Sequence, residues 1–275
     1  GGGYFGVNSS HPLENPTFLT NMVECWSILI IPMAMVFAFG FYIKRKKLAY
    51  TIYGVMLVAY LVGICFAHHF EMAGNPRIDE MGIAQNIGSM EGKEMRIGAA
   101  GTATWSQTTT VTSNGSVNGM HDSTMPLTGM FTMLNMMINC WFGGVGVGFM
   151  NYYTFLIIAV FISGLMVGRT PEFLGKKVEA REMKIASIVA LCHPFIILVG
   201  TAIAAYLYAH APGFVESEGG WLNNPSFHGF SEMLYEYTSS AANNGSGFEG
   251  LGDNTYFWNF TCGLVLILGR YLPIV

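Results

Sequence analysis

Ten residues hold the chemistry that the rest of this chain must position: Thr108-Thr109-Thr110-Val111-Thr112-Ser113-Asn114-Gly115-Ser116-Val117. A second version runs Thr238-Ser239-Ser240-Ala241-Ala242-Asn243-Asn244-Gly245-Ser246-Gly247, and a shortened third opens the sequence as Gly1-Gly2-Gly3-Tyr4-Phe5-Gly6-Val7-Asn8-Ser9. Aiming several backbone carbonyls at one axis needs angles that are costly for a residue with a Cβ and that Gly and Asn tolerate best. Gly1, Gly2, Gly3, Gly115 and Gly245, with Asn114, Asn243 and Asn244, meet that demand. Each stretch is too polar to cross a bilayer, yet lies among apolar segments that could. This predicts re-entrant pore loops: a short helix dips in, and a glycine-bearing turn lines a path for ions. Carbonyl oxygens replace an ion's water without a full charge, so the ion can still leave. The helix C-terminus adds roughly half a negative elementary charge. No carboxylate sits in the three loop cores, which points to a monovalent, weakly hydrated ion such as K+. One isolated Asn-Gly-Ser is an ordinary turn or an N-glycosylation sequon; two versions behind hydroxyl-rich helices favour the pore-loop reading.

The elements around these loops are apolar. The chain is 52% hydrophobic and only 11% charged, whereas soluble domains carry about a quarter charged residues. Its five cysteines lie in or beside apolar segments without a C-x-x-C and read as packing residues. Expected crossings are 17–43, containing Pro32, then 48–70 and 185–208, with a last one from Thr255 onward. Expected pore helices are 97–113 and 231–242. Residues 128–167 are too many for one straight span, and Gly143-Gly144-Val145-Gly146-Val147-Gly148 predicts a broken helix at membrane depth. Residues 71–96 and 209–230 read as polar outer segments, and 169–184 as a basic loop. Nine of the 13 Lys+Arg (Lys44, Arg45, Lys46, Lys47, Arg169, Lys176, Lys177, Arg181, Lys184) lie in two short stretches; both are expected in the cytoplasm, with the signature loops opening outward. Internal matches, Val7-Asn8 to His11 with Val117-Asn118 to His121 and Asn114-Gly115-Ser116 with Asn244-Gly245-Ser246, make the repeating unit helix, pore loop, helix. The expected fold is an all-α membrane protein of such repeats, K+-channel-like with re-entrant pore loops: residues 1–47 close a second repeat, 48–184 form the third around loop 97–117, and 185–275 form the fourth around loop 231–247.

Several longer runs carry a family resemblance. Gly1 to Pro16, Met120-His121-Asp122-Ser123, Gly168-Arg169-Thr170-Pro171-Glu172-Phe173-Leu174-Gly175-Lys176-Lys177, Arg181-Glu182-Met183-Lys184 and Ser239 to Ser246 closely resemble the potassium-transporting ATPase A chain family, KdpA, over the whole sequence. The resemblance implies a K+-channel-like transporter of four pore-loop repeats in a bacterial or archaeal cell (inner) membrane. This sequence, which has no initiator Met, then reads as a piece of a longer protein with the first repeat absent. The resemblance implies K+ as the transported ion with no organic cofactor, and partners: the ATP-hydrolysing P-type ATPase subunit KdpB and the small subunits KdpC and KdpF, in membrane lipid and without nucleic acid. Gly1 and Asn8 then match the second filter, Gly115 the third and Gly245 the fourth; Ser113 and the loop asparagines complete the K+ set. The glycine break, with Gly143, Gly144 and Gly146, matches a gating loop, and Arg169 and Arg270 match basic residues near the interior exit and tunnel. Asn139 stands where relatives often carry an acid, which leaves the pairing of Arg270 open.

Blander readings stand beside these. Arg270 inside an apolar run is costly and suggests function, or it snorkels from a helix end. Arg169 is either a cytoplasmic flank or a cavity residue. His68 and His69 mark an interface, and His11, His121 and His228 read as solvated loop residues near the outer mouth. Glu14 and Asp122 either attract cations or cap helices. The glycine run lacks the Lys-Ser/Thr of a nucleotide loop, and no aspartyl-phosphate motif is present, so ATP hydrolysis is not expected of this chain. The competing functional reading is a stand-alone K+ channel or an ion-coupled symporter. An enzyme working inside the membrane would need converging acid, base or metal residues, which the spacing does not supply.

Overall fold

A computed structural model describes residues 3–274, apart from the side chain of Val145. Ten α-helices make up most of it: α1 (Phe18–Tyr42), α2 (Lys46–Ala73), α3 (Pro76–Glu80), α4 (Gly98–Val111), α5 (Pro126–Ile138), α6 (Val147–Val167), α7 (Ala180–His210), α8 (Pro212–Ser217), α9 (Phe227–Ala242) and α10 (Tyr256–Tyr271). Among the described residues, four helical stretches are long and apolar enough to cross a membrane: Phe18–Tyr42, Lys46–Glu80, Val147–Val167 and Ala180–His210. The protein is an all-α membrane protein.

Burial is distributed as an apolar solvent demands. The long helices expose large apolar side chains such as Leu19, Trp26, Val58, Leu61, Leu191 and Leu198, which hydrocarbon accepts at no cost. The short polar helices α4 and α9 are the buried ones, and nearly all of Ala99–Val111 is inaccessible. At 14 and 16 residues they extend only about 21 and 24 Å, short of a hydrocarbon core of about 30 Å. Hydroxyl side chains make this burial tolerable. Thr108, Thr110 and Thr112 each donate to the carbonyl four residues earlier, at 2.7–2.8 Å, so the helix satisfies its own polar groups. Neighbours satisfy others: Tyr60 and His68 of α2 bond Thr108 and Thr104 at 2.7 and 2.8 Å. Small residues let the helices close up; a Cβ on Gly200 of α7 would lie 2.5 Å from the Tyr237 ring of α9.

Local chemistry sets the boundaries. Thr17 and Thr20 form a reciprocal capping box that starts α1. The basic run at 44–47 is not wholly a loop: Lys44 turns at φ +57, and Lys46 and Lys47 already lie in α2. The expected basic loop at 169–184 is a small hairpin and a helix start. Strands β1 (Glu172–Phe173) and β2 (Lys176–Lys177) pair antiparallel about Leu174 and Gly175, both at positive φ, as two-residue hairpins prefer. A Glu179/Glu182 capping box then begins α7.

The broken helix breaks earlier than the glycines suggest. α5 ends at Ile138, and Asn139 takes the left-handed conformation at φ 45, ψ 36, a conformation Asn tolerates as a helix stop. The break runs to Gly146, and Gly148 lies inside α6. Its lack of a side chain serves packing instead, since a Cβ there would meet Trp141 O at 2.8 Å.

A candidate ion path between two re-entrant loops

The two pore helices end in the same way. Asn114 N donates to Thr109 O at 3.2 Å, and Asn244 N donates to Ser239 O at 2.9 Å. Both bonds reach back five residues, as in a Schellman stop. The left-handed residue that permits this is Ser113 (φ 52) in one loop and Asn243 (φ 61) in the other. Two residues on, Gly115 and Gly245 sit at φ 82 and 81, where a Cβ would strain the backbone. Corresponding positions therefore carry the same backbone signs.

The loops also meet. Asn244 Nδ2 donates to Thr109 O at 3.1 Å, which joins the loop after α9 to the end of α4. The hydroxyls of Thr109 and Ser239, which occupy matching positions, and Asn244 Oδ1 are buried with no hydrogen-bond partner. Buried oxygens left in this way cost about 1–3 kcal/mol each; a cation or an ordered water would relieve them.

Beneath the loops lies the helix break. Gly143 N donates to Val111 O at 2.7 Å, and a Cβ on Gly144 would stand 3.4 Å from Ser113 Cβ and 3.6 Å from Arg270 Nη2. Arg270 Nε bonds Asn243 Oδ1 at 3.4 Å, while Asn139 accepts from Ser113 Oγ at 3.3 Å. So Arg270 takes an amide oxygen of the loop after α9, and Asn139 engages the loop after α4. Below the break a cavity of about 530 Å3 is lined by Asn139, Asn151, Cys192, His193 and Leu268 among others. Two expected members lie apart from this cluster. Gly146 packs toward Met35 of α1, and Arg169 is exposed at the end of α6.

The opening loop is only partly in view: Gly1 and Gly2 lie outside the described residues. Gly3 N donates to Asn8 Oδ1 at 3.0 Å, and Asn8 has φ 48. Asn21 of α1 ties this region to the next repeat, its Oδ1 accepting from Asn15 and Asn118 at 3.1 and 2.8 Å. Arg96 spans the same seam, bonding Asn15 O at 3.0 Å and also Ser10 O.

The sequence reading missed the outer supports. His121 is not a solvated loop residue but is 1% exposed. Its Nδ1 lies 2.8 Å from Tyr235 Oη, which lies 3.1 Å from Ser246 Oγ, beside Gly245. Burial lowers its pKa to about 4. The V-N-x-x-H match suggested that His11 and His121 are equivalent, but His11 stacks on Phe5 instead. Glu71 and Lys93, expected in a solvated segment, form a 2.9 Å ion pair with both side chains fully buried. An isolated β-bridge also closes the chain around each of the two loops, Lys93 with Gly119 and Leu222 with Leu251.

The family model described as potassium-transporting ATPase A subunit, KdpA, matches residues 1–275. A potassium-transporting ATPase potassium-binding subunit of Phocaeicola vulgatus is 82% identical over 275 residues, covering all of this chain and 48% of that protein. Its counterpart in Parabacteroides distasonis is 81% identical with the same coverage, and the Geobacillus kaustophilus protein of the same name is 48% identical, again over 275 residues. The chain spans about half the length of the curated relatives it matches.

Proposed function

This chain belongs to the potassium-transporting ATPase A subunit family, and from that premise we propose that it is the K+-selecting and K+-translocating part of an ATP-driven uptake complex. The observation that carries the reading is the matched pair of loops, with the same left-handed stop, the same positive-φ glycine and a hydrogen bond between them. Thr109 O is engaged by Asn114 N, Asn244 Nδ2 and Thr112 Oγ1, and the ion-facing oxygens are assigned to the loops that follow Thr109 and Ser239. Gly3 and Asn8 start the corresponding loop of the preceding repeat. The helix break at Gly143 and Gly144 closes the path below, and Arg270 sets a positive charge beneath the filter that holds cations above it. Arg169 is a cytoplasmic flank.

The repeat boundaries at 47/48 and 184/185 are part of the same proposal, as is the orientation with both loops opening outward. The partner is a P-type ATPase subunit, KdpB, accompanied by KdpC and KdpF, in a bacterial or archaeal cell membrane. The relatives' names, which are those of an ATPase subunit, favour this over a stand-alone channel or symporter.

The test is Gly115→Ala and Gly245→Ala in the full-length subunit within its assembly. A Cβ at these angles costs about 1–2 kcal/mol, so K+ affinity is expected to fall roughly 5- to 30-fold, with a narrower preference for K+ over Rb+. Unchanged affinity and preference in both variants overturns the filter assignment.

A further inference from the structure

Outside the filter, three side chains converge at the outer end of α9. Asp122 follows the third-repeat loop, and His228 and Glu232 lie one turn apart on α9. One ligand atom from each falls within 4.8 Å of the others. His228 Nε2 is 2.6 Å from Asp122 Oδ1 and 3.9 Å from Glu232 Oε1. A carboxylate cluster alone signifies little, but Glu232 is unusual. Its side chain is fully buried, Asn224 Nδ2 supplies a bond to Oε1 at 3.0 Å, and Oε2 has no hydrogen-bond partner. Buried carboxylates are normally paired, hydrogen-bonded through both oxygens, or bound to a metal. A glycine also faces the cluster: a Cβ on Gly250 would collide with Glu232 Oε1 and would lie 2.7 Å from Asp122 Oδ2. Only the absence of a side chain there leaves these oxygens an open notch. His228 is about half exposed, which gives a hydrated ion a way in from water.

We propose that Asp122, His228 and Glu232 form a site for one divalent ion of the Zn2+ class, linking the third-repeat loop to the pore helix of the fourth. One imidazole nitrogen and two carboxylate oxygens make a borderline donor set that suits Zn2+ better than Mg2+ or Ca2+, which take more oxygens. Three protein ligands leave a fourth, tetrahedral position for water. Zn–N and Zn–O distances of about 2.0–2.2 Å require the His228–Asp122 hydrogen bond to open and Glu232 to approach, both within side-chain motion. Metal binding at His228 Nε2 places the ring proton on Nδ1, so the hydrogen bond to Asp122 is exchanged for a shared ion.

The experiment is direct metal titration of the full-length subunit in its native assembly, stripped with chelator, by calorimetry and by metal content after gel filtration. The expected result is one saturable Zn2+ per subunit. Glu232→Gln preserves volume and the Asn224 bond, and His228→Asn alters a half-exposed residue; each is expected to weaken Zn2+ binding by roughly tenfold or more. His11→Asn, at a histidine outside the cluster, is expected to bind as the parent does. Elution volume and metal-free melting temperature identify any variant that misfolds, and a folded variant of either kind suffices. Parent protein without saturable Zn2+, or a folded Glu232→Gln or His228→Asn variant with unchanged Zn2+ uptake, overturns the site. Metal content is read without reference to K+, so this result and the filter assignment stand or fall separately.

Discussion

Removing Lys93 tests the outer scaffold most sharply. Its Nζ lies 2.9 Å from Glu71 Oε2, and neither side chain reaches solvent. Glu71 Oε1 also accepts from Met125 N at 2.8 Å, and Glu71 O accepts from Ser89 N at 2.8 Å. One residue at the end of α2 thus holds the segment ahead of α4 and the start of α5. At that separation and an effective dielectric of about 20, the attraction is about 6 kcal/mol, set against several kcal/mol of desolvation for each ion. The pair as a whole therefore contributes little, whereas half of it is costly. Lys93→Met strands a buried carboxylate and is expected to cost about 3–5 kcal/mol. Glu71→Leu with Lys93→Met removes both charges, leaves the Met125 N–H without its acceptor and Glu91 O without the Lys93 donor, and is expected to recover about 2–4 kcal/mol of that loss. The assay is a double-mutant cycle by reversible detergent unfolding of the purified complex. Arg77→Ala, which breaks a pair whose side chains are 82% and 65% exposed, serves as the control and is expected to change almost nothing. A Lys93→Met variant within about 0.5 kcal/mol of the parent, or single losses that simply add in the double variant, refutes the reasoning.

Two further outcomes follow from the geometry. Burial holds His121 at about 4 in the folded protein, against an ordinary 6.5. The unfolded chain therefore takes up this proton first. The stability involved is complete above about pH 6.5 and drains away as pH falls toward 4. His121→Gln is expected to flatten stability across that window, and parallel profiles for parent and variant would count against it. On α10, a Cβ at Gly269 would run into the carbonyl of Ala241, whereas one at Gly263 meets nothing within 4 Å. Gly269→Ala is expected to lose about 1–3 kcal/mol and to disturb the adjoining Arg270–Asn243 contact, with Gly263→Ala within about 0.5 kcal/mol of the parent. Thermal unfolding of the two variants, alongside their K+ over Rb+ preference, compares them.

Four long apolar helices and the two short buried ones were legible because hydrocarbon imposes one rule at every position: long apolar stretches can cross and short hydroxyl-rich ones hide. The crossing expected from Thr255 onward is a 16-residue helix outside those four. The loop glycines were legible because only positive φ explains them, and Gly115 and Gly245 adopt it. The helix break was placed a few residues late because the glycine run is the stronger stop signal, while the stop itself is made by Asn139, a residue that ends helices less often than glycine. The outer supports were illegible for a different reason. Glu71, Lys93 and His121 look like solvated residues until the fold closes over them. Asp122 meets His228 from 106 positions away, a distance that local pattern cannot bridge.

The β-bridges at Lys93–Gly119 and Leu222–Leu251 have a consequence for the order of assembly. Each closes within a short stretch of chain, 93–119 and 222–251, so the nascent chain can shape the first as it inserts, before the second leaves the ribosome. The ties across repeats, from His121 to Tyr235 and from Asn244 to Thr109, span 114 and 135 positions, and contacts of such separation form late. Each loop therefore takes its curvature alone, and the passage between them is completed only when the last hairpin docks. An arrested translation product that stops short of Asn244 would carry a finished loop at 112–116 facing an open side.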